Sequence, residues 1–182
     1  MTTTALKEWG AAVHALLDGR QTVLLRKGGI HEKRFDLAAG DFLLFPTVAH
    51  SHAQRVRPEH RALLDDTSDS TEQSIVVRAA AKVVAAVEVN RPEAIADIAD
   101  LHIWTEESVR ADRLDFRPRR RLTVLVVQAR ALVEPVQLPR SPDYAGCSSW
   151  VQLPVSGISC AAPVHDIDTL TAVAQRVRGS VG

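Results

Sequence analysis

The sequence predicts an α+β domain built on a curved, mostly antiparallel sheet or small barrel flanked by helices. Three observations lead there. Apolar residues recur at helical spacing near both ends, as Leu6, Trp9, Val13, Leu16 and Leu17 and again as Ile167, Leu170, Val173, Ala174 and Val177. Between them lie β-branched runs, of which RLTVLVVQARAL (121–132) is the clearest. Helices and strands also mix without the βαβ rhythm that builds a parallel sheet. With 182 residues, 46% hydrophobic and 24% charged, residues 1–182 read as a single globular domain with one core.

Each element has a local reason. Residues 1–18 read as an amphipathic helix, with threonines as caps before the first stripe and Gly19 as the stop after it. TVLLR (22–26) reads as a strand and FLLFP, closed by Pro46, as a second one, followed by a histidine-rich loop over 47–54. Pro58 opens a short helix ending near Asp65. The acidic stretch DDTSDSTEQ (65–73) has no apolar anchor and reads as a mobile polar surface loop. SIVVRAAAKVVAAVEV (74–89) fits one long or bent strand, a hairpin, or a helix over its alanines. Asn90, the early Pro92 and the apolar positions Ile95, Ile98 and Leu101 predict a helix over 90–104. Thr105 then caps another helix, with Glu106 and Glu107 at its positive end and Arg110 and Arg113 late. The strand at 121–132 is bounded by Pro118 and Pro135, SSWVQLP (148–154) supplies one more, and the C-terminal stripe forms a helix capped by Asp168 and followed by Gly179.

Charge and cysteine usage narrow the function classes. Lys plus Arg equals Asp plus Glu at 22 each, so any contact with nucleic acid must rest on a local patch. Cys147 and Cys160 form no CxxC pair, which excludes a four-cysteine zinc site and a disulfide framework and leaves structural thiols as the default. No apolar run reaches the roughly 20 residues of a membrane helix, and MTTTALKEWG lacks the pattern of a secretion signal. A cytoplasmic protein is expected.

Four stretches carry groups suited to chemistry or binding. In RQTVLLRKGG the strand runs into Arg26, Lys27, Gly28 and Gly29, and cations beside glycine amides can hold a phosphate. The spacing is not that of a Walker motif, and a solvated turn explains the charges equally well. PTVAHSHAQ places His50 and His52 one residue apart, so on an extended chain both face one metal or substrate. A zinc site needs further ligands that no HExxH or cysteine pair provides. RPRRR (117–121) is a natural phosphate-contacting cluster through Arg119, Arg120 and Arg121, or a solvated strand entrance balanced by Asp112 and Asp115. DYAGCSSWVQL (143–153) concentrates Tyr144 and Trp150 in a chain with 4% aromatics, where they either stack on bases or plug the core.

The strings ALKEWGAAVHALLDGRQTVLLRKGGI, FLLFPT, LHIWTEESVRADRL and PDYAGCSSWVQL together resemble a bacterial family known as domain of unknown function 1802, over residues 5–153. No activity is established for that family. Its members occur alongside Mrr-type restriction endonuclease domains, and the resemblance therefore implies a link to nucleic acid, restriction or defence, and a restriction-system protein as partner. More distantly the chain resembles the PUA-like ASCH and EVE domains, whose N-terminal helix precedes a strand of the type G-K-K-T-hydrophobic-E-hydrophobic-R. In GRQTVLLR, Gly19, Thr22 and Arg26 match, whereas Gln21 replaces the lysine and Leu24 or Leu25 the polar residue. That lysine belongs to the catalytic set of ASCH-type amidohydrolases, so what the resemblance implies here is binding of RNA or of a modified, flipped-out base.

The reading that follows is a nucleic-acid-binding accessory domain of PUA-like architecture, without metal or cofactor and without a membrane partner. Arg26, Lys27, Gly28, Gly29, Arg119, Arg120 and Arg121 would meet phosphates, and Trp104 or Tyr144 would offer a face to a base. The alternative is a hydrolase acting on a nucleoside or nucleic acid through the His50/His52 and Lys27/Glu32 region, with Glu88 as a further candidate acid or base.

Overall fold

The computed structural model describes residues 1–27, 35–48, 51–65 and 67–182. Among the described residues seven strands form one sheet: β1 (Thr3–Trp9), β2 (Val23–Lys27), β3 (Asp41–Thr47), β4 (Ser74–Glu88), β5 (Leu122–Pro139), β6 (Trp150–Leu153) and β7 (Cys160–Pro163). The order across the sheet is β2-β5-β4-β3-β1-β6, with β7 paired to β5 beside this path. Every pairing is antiparallel except that of β1 with β3. The α+β, mostly antiparallel architecture expected from the sequence is the one observed.

Its curvature follows from one side chain. β2 and β1 lie four places apart in the sheet order, about 19 Å in a flat sheet at ~4.8 Å per strand. Yet Arg26 Nη1, on β2, donates to the Lys7 carbonyl of β1 at 3.0 Å. Only a strongly curled sheet brings them within reach, and among the described residues no backbone pairing joins the two edges to close a barrel.

The first departure from the sequence reading comes at the N-terminus. Residues 3–9 are a strand, and the helix α1 (Gly10–Leu17) begins only after Trp9. Leu6 and Trp9 fit a helical stripe, but the segment is inserted between β3 and β6, where its backbone pairs on both sides and Ala5 and Leu6 are wholly buried. Tertiary pairing thus outweighs local periodicity. Gly19 does end the helix, at φ 78°, in the left-handed region that glycine enters without strain.

The alanine-rich segment 74–89 is strand, one long β4 whose exposure alternates along its first half between β3 and β5. β5 runs on past Pro135 to residue 139. The proline is tolerated because the register jumps there: Val77 pairs with Val136 and Ala79 with Ala131, leaving 132–135 bulged out of the ladder with β4. Segment 90–104 is a 3₁₀ helix (Pro92–Leu101) broken at Ile98 instead of a regular α-helix. It and α4 (Ile167–Val181) cover one sheet face, burying Ile95, Ile98, Leu170, Ala174 and Val177 with Val124 and Val126. The cap of α4 is Asp166, which accepts from the Thr169 amide at 2.7 Å, and not Asp168; the helix also runs through Gly179 to Val181.

Residues 65–73 carry an anchor that composition concealed. Asp69 is 3% exposed and bridges His14 Nε2 of α1, at 2.8 Å, to Arg78 Nε of β4, at 2.6 Å. Both cysteines are exposed and unpaired thiols, so neither is the packed structural residue expected. Among the described residues no helix is long and apolar enough to cross a membrane.

Candidate nucleic-acid interface

The site is best built from the end of β2, where two cations follow an apolar strand. Arg26 turns inward. Its Nη1 also lies 3.2 Å from Glu8 Oε2, and Glu8 is 4% exposed. The other Glu8 oxygen accepts the Trp9 amide at 2.9 Å. A buried carboxylate needs a cation and hydrogen bonds to remain charged, and Arg26 supplies them. The guanidinium also sits over the Phe35 ring, 5.4 Å from its centre. Arg26 is therefore committed to the protein interior and is not a phosphate contact.

Lys27 has a different task. Thr105 caps α3 (Glu106–Val109), its hydroxyl accepting from the Ser108 amide at 3.1 Å, and the chain continues into a π-helical turn, Arg110–Asp115. Such a terminus leaves carbonyls without partners. Lys27 Nζ donates to the carbonyls of Arg113 at 2.5 Å and Leu114 at 3.4 Å, and closely to that of Phe116. Burial, and next the neighbouring Arg113, lower its pKa from the usual lysine value. Gly28 and Gly29, with His31, Glu32 and His50, lie outside the described residues.

The turn that Lys27 fastens leads into RPRRR. Arg117 adopts φ 52° and lies over the ring of Phe116, 4.9 Å from its centre, and Phe116 is 56% exposed. The Arg120 amide donates to the Arg117 carbonyl at 2.9 Å, closing the turn before β5. Arg119 is exposed; Arg121 pairs with Glu88 and reaches Asn90 Oδ1 at 3.3 Å. Glu88, a candidate acid or base, is thus the counterion of an arginine.

These residues frame a cleft of about 430 Å³. Among the described residues five cations line it, Lys27, Arg110, Arg113, Arg120 and Arg121, against two carboxylates, Glu93 and Asp115. Burial lowers the pKa of Arg113 as well, with Arg26 and Arg55 adding to the effect and Glu8 and Asp112 opposing it. The fold therefore joins Lys27 to Arg120 and Arg121 across the sheet edge, a proximity that sequence separation hides.

The aromatics expected at the site are elsewhere. Trp104 is buried, its ring edge-on to Trp9 with centres 4.8 Å apart. Tyr144 is buried against Phe45, with centres 5.4 Å apart. Both rings pack on aromatic neighbours, away from the arginine turn. Trp150 packs on Phe35 and Phe42 and donates its indole N–H to the Asp36 carbonyl at 3.0 Å. The exposed ring beside the cations is Phe116, which the sequence marked only by its place one residue before RPRRR.

His52 does not lie on an extended chain: it opens the short helix α2 (His52–Arg55), buried with its ring 4.4 Å from that of Trp9. Burial, then Arg55, push its pKa below the usual histidine value. Among the described residues no group of three or more histidine, cysteine or acidic side chains is placed to hold a metal ion.

The comparisons with known proteins bear out the family resemblance seen in the motifs. Crystal structures of two single-substitution mutants of the ASCH protein of Zymomonas mobilis are similar to this chain. One has 13% identity, 94% of each chain covered and a TM-score of 0.49; the other has 15% identity, 94% of this chain and 96% of that one covered, and a TM-score of 0.48. The unsubstituted protein gives 14% identity, 98% and 95% coverage and a TM-score of 0.43. No curated protein matches the chain. The family model for the domain of unknown function DUF1802 matches residues 5–176, and the chain belongs to that family.

Proposed function

We propose that this chain is a nucleic-acid-binding accessory domain, serving restriction or defence and reading a modified base, and that the arginine-lined cleft is its phosphate-contacting surface. The observation that carries the reading is the gathering of five cations on one cleft in a chain whose net charge is zero. Arg119, Arg120, Arg121 and Arg110 are the phosphate contacts, and Phe116 offers its face to a base. Lys27 acts indirectly, by fastening the turn that carries Phe116 and the arginines. The carboxylate partners of Arg121 and Arg110 do not oppose this role. Exposed pairs such as Arg110 with Glu106, at 3.0 Å, are worth no more than about 1 kcal/mol and exchange readily for a phosphate. The restriction setting is supported by the Mrr-type domains beside which members of the family occur.

The test is binding to short single- and double-stranded DNA and RNA, with and without modified bases, over a range of salt. Affinity should fall steeply as salt rises. Replacing Arg119, Arg120 and Arg121 by alanine should lower the slope of log K against log salt by about 2 to 3, at ~0.9 per phosphate contact on duplex DNA. Phe116→Ala should weaken single-strand binding by about 1–3 kcal/mol with the salt slope unchanged. A triple variant that binds as the wild type does would refute the assignment of the cleft.

A further inference from the structure

A second cleft, of about 410 Å³, opens on the sheet where β3, β4 and β5 run side by side. Register fixes its composition. Leu43, Ala80 and Arg130 stand opposite one another across the three strands, and Asp41, Lys82 and Gln128 form the adjoining row. Residues two apart on a strand share a face, so both rows point the same way. Ala80 contributes only a methyl group between longer neighbours and leaves a hollow, which Ile158 and Cys160 wall from the β7 side.

Two cations overlook that hollow. Among the described residues neither the Lys82 side chain nor that of the half-buried Arg130 has a hydrogen-bond or ion-pair partner. As diagonal cross-strand neighbours they stand roughly 7–8 Å apart at the backbone, a span that one small anionic group can bridge. Among the described residues Asp41 is the only carboxylate in the lining. It leaves the site with a single surplus positive charge, which suits a monoanion and disfavours a polyphosphate chain. The site is separate from the arginine cleft: Leu122 lines that one and Arg130 this one, eight residues or about 26 Å along β5.

We propose that this cleft binds a small organic monoanion, its apolar body resting on Ala80 and Ile158 and its carboxylate or sulfonate held between Lys82 and Arg130. The volume lies in the range of small-molecule sites, and the combination of an apolar floor with a few converging polar groups is their usual chemistry. Charge complementarity selects the occupant.

The cysteines make the proposal measurable. Cys160 lines the cleft and Cys147 lies outside it, and both thiols are exposed. The probe is 1-anilinonaphthalene-8-sulfonate, an aromatic body with one sulfonate, added to the full chain while iodoacetamide alkylation is followed at each cysteine by peptide mass spectrometry. At about nine times its Kd the probe leaves about a tenth of sites open, so Cys160 should react about tenfold more slowly and Cys147 at an unchanged rate. Octanoate should compete with the probe. Lys82→Glu, a change at an exposed position, should remove the protection, and Lys82→Arg should retain it. Unchanged alkylation of Cys160 overturns the proposal, as does equal protection in Lys82→Glu. Equal protection by a short oligonucleotide would overturn it too, by assigning the surface to nucleic acid.

Discussion

The Arg26 guanidinium stands 3.2 Å from the Glu8 carboxylate although three strands separate β2 from β1 in the sheet. The pair fastens the two sides of the curled sheet. Cutting Arg26 to alanine strands a buried carboxylate, and the expected loss of stability is about 3 kcal/mol. Urea unfolding checks this, and a double-mutant cycle with Glu8→Gln should return a coupling of about 1–3 kcal/mol. An Arg26→Ala protein within ~0.5 kcal/mol of wild type would show that the pair is dispensable.

Asp69 ties the segment 65–73 to α1 and β4 through His14 and Arg78. Asp69→Ala removes the carboxylate that His14 and Arg78 share and should cost about 2 kcal/mol. Cleavage after Glu72 by a glutamate-specific protease should speed up several-fold. An unchanged cleavage rate would mean that the segment opens independently of the anchor.

His102 is 2% exposed, and its Nδ1 accepts the Trp104 amide at 3.1 Å. Burial above all, with Arg57 adding to it, pushes its pKa down from 6.5 to about 4. Between those values the unfolded chain binds a proton that the folded chain refuses, so stability is complete above pH ~6.5 and falls as the pH drops towards ~4. The expected loss is on the order of 3 kcal/mol. His52 and His60, both lowered chiefly by burial, act with the same sign. In His102→Asn, whose side-chain oxygen can accept the same amide, the slope of stability against pH in that window should fall by up to about 1.4 kcal/mol per pH unit. A slope equal to that of wild type would remove His102 from the account.

The two aspartates at the start of α4 separate a motif from its geometry. Asp166 accepts the Thr169 amide at 2.7 Å, and that bond holds its pKa below the usual carboxylate range. Asp166→Ala should lower Tm more than Asp168→Ala does, and Asp166→Ser should recover most of the difference. Equal effects would place the cap elsewhere.

The sequence by itself determined the α+β class, the presence of the strands read at 22–26 and 121–132, the Thr105 cap and the family, because β-branched runs, capping residues and contiguous motifs are local signals. It also marked RPRRR as a cationic cluster. Only the tertiary structure decided what those cations face. Residues 3–9 became strand because two partner strands were waiting, and β5 passed Pro135 because a bulge absorbed it. Arg26 and Lys27 are adjacent in sequence, yet alternation sends one to a buried carboxylate and the other to a set of helix-end carbonyls. Trp104 and Tyr144 went to the core and Phe116 to the surface, since which aromatic stays wet depends on the packing of distant segments. Local free energies write elements into a sequence; long-range contacts decide which side chains are left over to bind.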